Sequence, residues 1–193
     1  MSASLTRLQT FYSEFKPPLL LHAMLTREFP GMAAVATSFG PESALLLALV
    51  AEVAPATPVL FLDDGAARTA LAPYRESLIA GLRLENPRVL MLGPQKDMWK
   101  TQLADLLDEM GTLALITANA AIGAPRIGLD ENGVFHINPL AAWTKEEQNQ
   151  QMSRRNLPPY PPSAAPTQDV CALALTPLTQ DGLEESTTAS WNL

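Results

Sequence analysis

The sequence predicts an α/β fold of the Rossmann-like kind, with a mostly parallel sheet and helices on both faces. Short apolar runs alternate with helical segments of ten to fifteen residues, which is typical of right-handed βαβ crossovers. The runs are apolar throughout, as strands that are covered on both faces require. A chain of 193 residues is long enough for one domain with a sizeable core.

Local patterns along the chain define the predicted elements. Residues 1–30 are predicted to form two helices separated at Pro17-Pro18, because proline disrupts a helix interior. Another helix begins at Pro41, since proline is favoured at the first helical position and the charge of Glu42 is favourable in the first turn. The predicted strands are 32–39, 58–63, 88–92 and 113–117, and the helices between them are 41–54, 68–82 and 97–110.

The chain changes in character after the fourth predicted strand. Residues 120–133 have the composition of a loop, and residues 133–143 are predicted to form a strand or hairpin arm. A polar helix follows, with Thr144 as its N-cap and Glu147 completing a capping box.

The domain organisation follows from the distribution of proline. The segment 157–193 begins with a proline-rich stretch that suits neither a helix nor a central strand, so we expect an extended tail. The α/β domain is therefore expected to span residues 1–156, with residues 1–30 as its N-terminal helices.

Charge and composition exclude several classes of partner. The net charge is −7 and the 13 Lys and Arg residues are scattered, so we expect no nucleic-acid binding, which uses a basic surface. No apolar run has the length of a membrane span, and the N-terminus lacks the apolar core of a secretion signal. We therefore expect a cytoplasmic protein without a membrane partner. The single cysteine excludes an internal disulfide framework, and we expect no iron–sulfur cluster.

Polar turns follow the first two predicted strands. Residues 38–43 carry hydroxyls at both ends and a glycine that lets the backbone approach an anion. They lack the Gly-Lys-Ser/Thr ending of a Walker loop, so a tight strand-to-helix turn is the alternative. Asp63 and Asp64 are expected either to hold a ligand or metal or to cap the next helix. Because ligands bind at the carboxyl ends of parallel strands, the candidate ligand-binding residues are Ser38, Phe39, Gly40, Pro41, Glu42, Ser43, Asp63, Asp64 and Gly65.

The helix that begins at Pro41 gives this turn a specific geometry. We expect the backbone N–H groups of Gly40, Glu42 and Ser43 to face a concavity at the helix N-terminus. A phosphate or sulfate there would be stabilised by those groups and by the helix dipole.

Two segments carry a resemblance to a known family. The stretch TSFGPESALLLALVAEVAPATPVLFLDDG resembles the first βαβ unit of the phosphoadenylyl-sulfate (PAPS) and adenylyl-sulfate (APS) reductases, including their modified pyrophosphate-binding loop. The stretch GVFHINPLAAWTKEEQNQQMSRRNLPPYPP is similar to a later segment of the same family. The resemblance implies an adenine nucleotide α-hydrolase-like fold, an adenine nucleotide as ligand, and a reductase-like role in sulfate assimilation.

The chain departs from the family pattern at the positions that carry its chemistry. Asp64 stands where the family has threonine, which adds negative charge near the expected phosphate site. In the stretch implied to clamp phosphate and sulfate oxygens, residues 118–126, only Arg126 is basic. The family's C-terminal Cys-Gly-Leu-His is absent from the given sequence, whose last residues are 189–193, Ala-Ser-Trp-Asn-Leu. The one thiol, Cys171, is the remaining candidate nucleophile, with a buried small hydrophobe as the alternative.

Other candidate residues do not form a recognisable site. His22 and His136 lack metal-ligand spacing, and Glu146-Glu147 is typical of a solvated helix face, so we expect no metal site from them. Three hypotheses remain open: a diverged enzyme of sulfur assimilation, a non-catalytic protein with a residual nucleotide site, and a protein–protein interaction or regulatory module. The last would act as a homodimer or with a partner protein.

Overall fold

A computed structural model describes residues 2–38, 40–63, 65, 68–93, 95, 98–118 and 125–161. These residues form a six-stranded sheet in the order β3-β2-β1-β4-β6-β5. Every neighbouring pair is parallel except β5 and β6, which form an antiparallel hairpin. The strands are β1 (Ala33–Thr37), β2 (Val59–Asp63), β3 (Pro87–Met91), β4 (Ala114–Thr117), β5 (Ile127–Leu129) and β6 (Phe135–Ile137).

The helices precede β1, connect the strands from β1 to β4, and follow β6. They are α1 (Ser2–Phe11), α2 (Pro17–Ala23), α3 (Pro41–Val53), α4 (Arg68–Leu82), α5 (Trp99–Glu109) and α6 (Lys145–Arg154). A π-helical segment, Met24–Glu28, continues α2, and a 3-10 helix, Pro139–Ala142, follows β6. None of the helices in the described part of the chain combines the length and apolar content needed to cross a bilayer.

Two core clusters cover opposite faces of the sheet. The larger joins one face of the central strands to α1 through α4, and the smaller joins the other face to α5. Along β1, Val35 belongs to the first cluster, whereas Ala34 and Ala36 belong to the second. This alternation explains why β1 is buried along its whole length. The predicted α/β class with helices on both faces is confirmed.

The N-terminal helices are separated where the proline pair predicts. α1 ends at Phe11, and Pro17 then begins α2, at whose first turn a proline costs no hydrogen bond. The side chains of Leu8 and Tyr12 are each 1% exposed. This part of the N-terminal segment therefore packs on the body of the domain.

The register places two predicted site residues at one edge of the sheet. Thr37 pairs with Phe61 across β1 and β2, so Ser38 and Asp63 both lie at the carboxyl ends of adjacent parallel strands. The prediction that these two residues share the carboxyl edge is confirmed. The opposite ends of the strands form the amino edge.

The segment after β4 differs from its prediction. Residues 127–129, expected within a loop, form β5 and pair antiparallel with β6. In residues 133–143 the predicted strand is confined to Phe135–Ile137, and Pro139 begins a 3-10 helix. A three-residue edge strand has too little periodicity to be distinguished from a loop in sequence.

Helix α6 packs alongside α3 in the same direction. Thr144 and Glu147 form the predicted capping box at its start. Lys145 pairs with Glu42 near the beginning of both helices, and Arg155 binds the carboxylate of Glu52 near their ends, with Nε–Oε1 of 2.7 Å. The N-termini of α3 and α6 are therefore neighbours at the carboxyl edge.

The described chain ends in an irregular segment that lies on the domain. Leu157 and Tyr160 pack against the larger core cluster. The rest of the expected tail, residues 162–193, lies outside the described residues, and the domain boundary at 156 stays a prediction.

Candidate functional site

Buried polar side chains are concentrated at the carboxyl edge of the sheet. Thr37, Ser38 and Ser43 are 2%, 5% and 5% exposed, and Asp63 and Thr117 are 6% and 3% exposed. Burial of a polar group is costly unless it is hydrogen-bonded, and four of these residues, Thr37, Ser38, Asp63 and Thr117, have interaction partners. This edge is therefore an organised polar surface at the ends of three adjacent strands, β2, β1 and β4.

The order of the strands reverses at β1 and β4. From β1 the chain passes through α3 to β2 on one side, whereas from β3 it passes through α5 to β4 on the other side of β1. In open α/β sheets, ligands bind outside the carboxyl ends at such a reversal of strand order. Ala36 pairs with Thr117, so Thr117 stands directly beside the loop at Ser38. Sequence reasoning did not select Thr37 or Thr117, although each is the hydroxyl that ends an apolar run.

The loop after β1 leads into the N-terminus of α3. Gly40 is the N-cap, with φ −65° and ψ 160°, and Pro41 is the first helical residue. The backbone N–H of Ser43 donates to the carbonyl of Gly40 at 2.9 Å. The N–H of Ser43, one of the three N–H groups expected to face a ligand, therefore forms a hydrogen bond within the first turn of α3. Phe39 lies outside the described residues.

Glu42, in the first turn of α3, forms an ion pair that places a cation near this loop. Its carboxylate pairs with the ammonium group of Lys145, the first residue of α6. The pair offsets the negative charge that Glu42 would otherwise place beside an anion site. Lys145 was not selected from the sequence, because nothing local relates residues that are 103 positions apart.

Asp63 has a structural role in the turn that follows β2. Its Oδ1 accepts a hydrogen bond from the backbone N–H of Gly65 at 2.8 Å. Gly65 has φ +80°, a left-handed conformation that glycine adopts without strain. Asp63 therefore stabilises the turn, and its Oδ2 contacts a second partner. Asp64 lies outside the described residues.

That second partner is Arg75, a site residue that the sequence reasoning missed. Arg75 Nη1 lies 3.9 Å from Asp63 Oδ2, and the Arg75 side chain is 17% exposed. Helical periodicity carries the signal, since Arg75 follows the buried Leu71 by four residues and precedes the buried Leu78 by three. A guanidinium at this edge is suited to an anionic ligand.

Arg126 lies elsewhere and is occupied by the backbone. Its Nη1 donates to the carbonyls of Tyr12 and Ser13 at 3.3 and 3.1 Å, and its Nη2 donates to the carbonyl of Phe15. Burial lowers the pKa of Arg126, and the charge of Glu14 acts in the opposite direction. It immediately precedes β5, three strands from β1. Arg126 thus caps carbonyls at the end of α1, and the described residues do not bring it to the loop at Ser38.

The remaining candidates occupy separate positions. His136 lies within 2.8 Å of the Asp130 carboxylate beside the β5–β6 turn. His22 contacts the hydroxyl of Thr26 on the surface of α2, and Glu147 belongs to the capping box. Within the described ranges, no group of three or more His, Cys, Asp or Glu residues could hold a metal ion. Cys171 lies outside those ranges.

The strand order and the structural comparison define an α/β protein of the adenine nucleotide α-hydrolase-like fold. The structure superimposes on a crystal structure of PAPS reductase from Candida auris in complex with phosphate, with a TM-score of 0.60 and 17% identity over 81% of this chain and 87% of that chain. At this identity the superposition demonstrates a shared fold.

Sequence comparison gives the family. The chain is 28% identical to an adenosine 5'-phosphosulfate reductase of Mesorhizobium japonicum over 163 residues, which are 83% of this chain and 59% of that protein. It is 32% identical to an adenosine 5'-phosphosulfate reductase of a Chelativorans species, in an alignment that covers 68% of this chain and 62% of that protein. The chain spans about three fifths of these relatives. No family model matches it. These similarities support the PAPS and APS reductase-like family for this chain.

Proposed function

We propose that this chain is a diverged PAPS reductase-like protein of sulfate assimilation that binds an adenine nucleotide without reducing it. The observation that carries the proposal is the set of buried polar side chains at the strand-order reversal, Thr37, Ser38, Asp63 and Thr117. A sheet edge without a ligand role needs no such concentration of buried hydroxyls. Their position at the carboxyl ends of β1, β2 and β4 fits a nucleotide bound at this edge of the sheet.

The charges around the carboxyl edge of the sheet support an anionic ligand. The N-terminus of the 13-residue helix α3 begins beside Ser38, and a helix N-terminus favours negative charge. Arg75 and Lys145 add cations, each already paired with a carboxylate. Because a carboxylate already offsets the charge of each cation, we expect the phosphate groups to be bound weakly.

The absence of reduction is proposed from the chemistry of this edge. Thiol-dependent reduction of a sulfuryl group needs a thiolate that attacks sulfur and a second thiol that resolves the intermediate. The described residues at the carboxyl edge supply hydroxyls, a carboxylate and a guanidinium, and no thiol among them. Arg126, which the resemblance implies to clamp substrate oxygens, donates to three backbone carbonyls instead.

Isothermal titration calorimetry of the full chain with APS, PAPS and AMP tests the binding proposal. We expect saturable binding that is weaker than micromolar, with magnesium making little difference. Submicromolar affinity for a phosphosulfate nucleotide would contradict the weakened site. The absence of any heat or thermal shift at millimolar nucleotide would contradict a nucleotide site altogether.

An interaction or regulatory module on the same fold is the second candidate. The observation in its favour is the pair of large apolar side chains on the N-terminal helices, Phe11 and Leu19, which are 58% and 54% exposed. Exposed apolar groups of this size can mark protein contacts. Light scattering of the full chain and of a Phe11→Ser, Leu19→Ser variant would detect a homodimer that depends on this surface. A monomer in both cases would contradict self-association through it.

A further inference from the structure

A groove lies at the amino edge of the sheet, between helix α5 and the β5–β6 hairpin. Its volume is about 540 Å³, which is within the range of small-molecule sites. Thr112 and Leu113, which precede β4, and Val134, which precedes β6, line this amino-edge groove. The groove is therefore separate from the proposed nucleotide site, which lies at the other ends of these strands.

The lining of the amino-edge groove is apolar along much of its length. Leu103 and Leu107 of α5 contribute to it from one side, and Leu129 and Val134 of the hairpin contribute from the other. Leu113 also lines the groove and is 46% exposed. The groove therefore offers apolar contacts to the hydrocarbon part of a ligand.

The hairpin contributes two carboxylates to the groove, and each is already paired. Glu131 Oε1 lies 2.7 Å from Lys100 Nζ, an ion pair that bridges the hairpin and α5. Asp130 Oδ2 lies 2.8 Å from His136 Nε2, and Asp130 Oδ1 accepts the backbone N–H of Val134 at 2.9 Å. These contacts hold the hairpin side of the groove in place.

Helix α5 contributes two further carboxylates that lack such partners. Asp105 and Asp108 line the groove and are exposed, and within the described part of the chain neither forms an ion pair. Side chains three positions apart on a helix have Cβ atoms about 5–6 Å apart, a separation that a short methylene chain can give to two ammonium groups. Among the described residues, these acids do not belong to a group of three or more side chains that could hold a metal ion. The groove therefore suits an organic cation better than a divalent metal ion.

We propose that the amino-edge groove binds an aliphatic polyamine. Its ammonium groups pair with Asp105 and Asp108, and its methylene groups contact Leu113 and Val134. Charge complementarity selects a cation, since carboxylates outnumber cations around the groove. The apolar lining selects a ligand with a hydrocarbon chain over a compact hydrated ion.

Isothermal titration calorimetry of the full chain with spermidine at low salt tests the charge contacts. We expect saturable binding, and a loss of affinity of about fivefold to tenfold in the double variant Asp105→Asn, Asp108→Asn. The double variant Glu85→Gln, Glu109→Gln is the matched control. It removes the same charge from exposed positions, one of them on α5, that do not line the groove, and it should bind as the native chain does.

A second pair of variants tests the apolar contact. Leu113→Ser should weaken spermidine binding by roughly threefold, because it removes apolar surface that the methylene chain covers. Val89→Ser is matched in exposure, at 45% against 46%, but lies on β3 and should bind normally. Saturating AMP should leave spermidine affinity unchanged, since the two sites lie at opposite edges. This arm keeps the polyamine site distinct from the nucleotide proposal.

The other outcomes overturn the proposal. Equal losses of affinity in the two double variants would indicate general attraction to an acidic surface. Binding without saturation at millimolar spermidine would contradict a formed site. Full displacement of spermidine by equimolar magnesium would assign the carboxylates to a metal ion. Tighter binding of a lysine-containing peptide, with the same dependence on Asp105 and Asp108, would assign the groove to a partner protein.

Discussion

Asp63 and Arg75 meet across the end of β2 and the second turn of α4, with 3.9 Å between Oδ2 and Nη1. The same carboxylate accepts the N–H of Gly65 through its other oxygen, so Asp63 both shapes the turn and orients the guanidinium. At 3.9 Å the pair is long for a charge-assisted hydrogen bond.

Arg75→Met should weaken nucleotide binding while leaving the fold intact. The substitution keeps an apolar stem and removes the charge, and a hydrogen bond to a charged group is worth about 1.5–3 kcal/mol, or roughly tenfold or more in affinity. Calorimetry with APS or inorganic phosphate measures the change. Arg83→Met, at an exposed position just after the same helix, is the matched control and should bind as the native chain does. Equal affinity in both variants would show that Arg75 does not contribute to nucleotide binding.

Thr117→Val is expected to reduce nucleotide affinity by about threefold to tenfold, the worth of one hydroxyl hydrogen bond. Thr112→Val is the control, because Thr112 is also buried, at 6% against 3% exposed, but precedes β4 at the amino edge. Each change replaces a hydroxyl with a methyl group of similar volume, so both variants should unfold at similar urea concentrations. A loss of affinity in both would indicate a general effect of stability rather than a ligand contact.

Much of this fold was predictable from sequence, because its strands are continuous apolar runs and its helices carry start signals such as Pro41 and the Thr144 capping box. The short strand β5 was not, since its pairing with β6 is tertiary. At the site, Ser38 and Asp63 could be placed because the carboxyl ends of parallel strands share an edge. Contacts such as Glu42 with Lys145 depend on how α3 and α6 pack. The position of Arg126 could not be read locally either, because its carbonyl partners belong to the end of α1.

Arg126→Met separates a structural role from a ligand role for this arginine. The guanidinium donates to the carbonyls of Tyr12, Ser13 and Phe15, so its removal should lower the free energy of unfolding by about 1–3 kcal/mol. Urea denaturation measures this loss. Nucleotide affinity at a temperature where the variant is folded should stay unchanged. Unaltered stability together with lost affinity would instead support the clamp that the family resemblance implies.

Tyr74 should titrate late and make folding sensitive to alkaline pH. Burial, with a contribution from Tyr160, raises the pKa of Tyr74 to about 12 from 10.0. Because the pKa of Tyr74 is higher in the folded chain than in the unfolded chain, the neutral phenol contributes its full stabilisation of the fold below pH 10. This contribution to the free energy of unfolding is lost as the pH rises from about 10 to 12. Absorbance titration of phenolate should show a late transition that is smaller in Tyr74→Phe, where only Tyr12, whose pKa burial and its hydrogen bond to Glu28 also raise, still titrates late. Urea unfolding of this variant should be less pH-dependent over the same range. An ordinary titration of all tyrosines would refute the buried environment of Tyr74.

The full chain should release no sulfite from APS or PAPS in the presence of thioredoxin or glutathione. In the reductive mechanism, a thiolate attacks sulfur and displaces the nucleotide to form a thiosulfonate, and a second thiol then forms a disulfide and liberates sulfite. The one cysteine of the given sequence is Cys171, and its nearest charged neighbour in the sequence is Asp169, whereas a reactive thiolate needs a cationic environment. The described carboxyl edge supplies hydroxyls to bind an ester oxygen but no sulfur nucleophile.

Sulfite assays on the native chain and on Cys171→Ser decide the question. Turnover by the native chain that disappears in Cys171→Ser would make Cys171 the nucleophile and the protein a reductase. Turnover that persists in the variant would point to contaminating enzyme or to attack by the external thiol, which omission of the protein would distinguish.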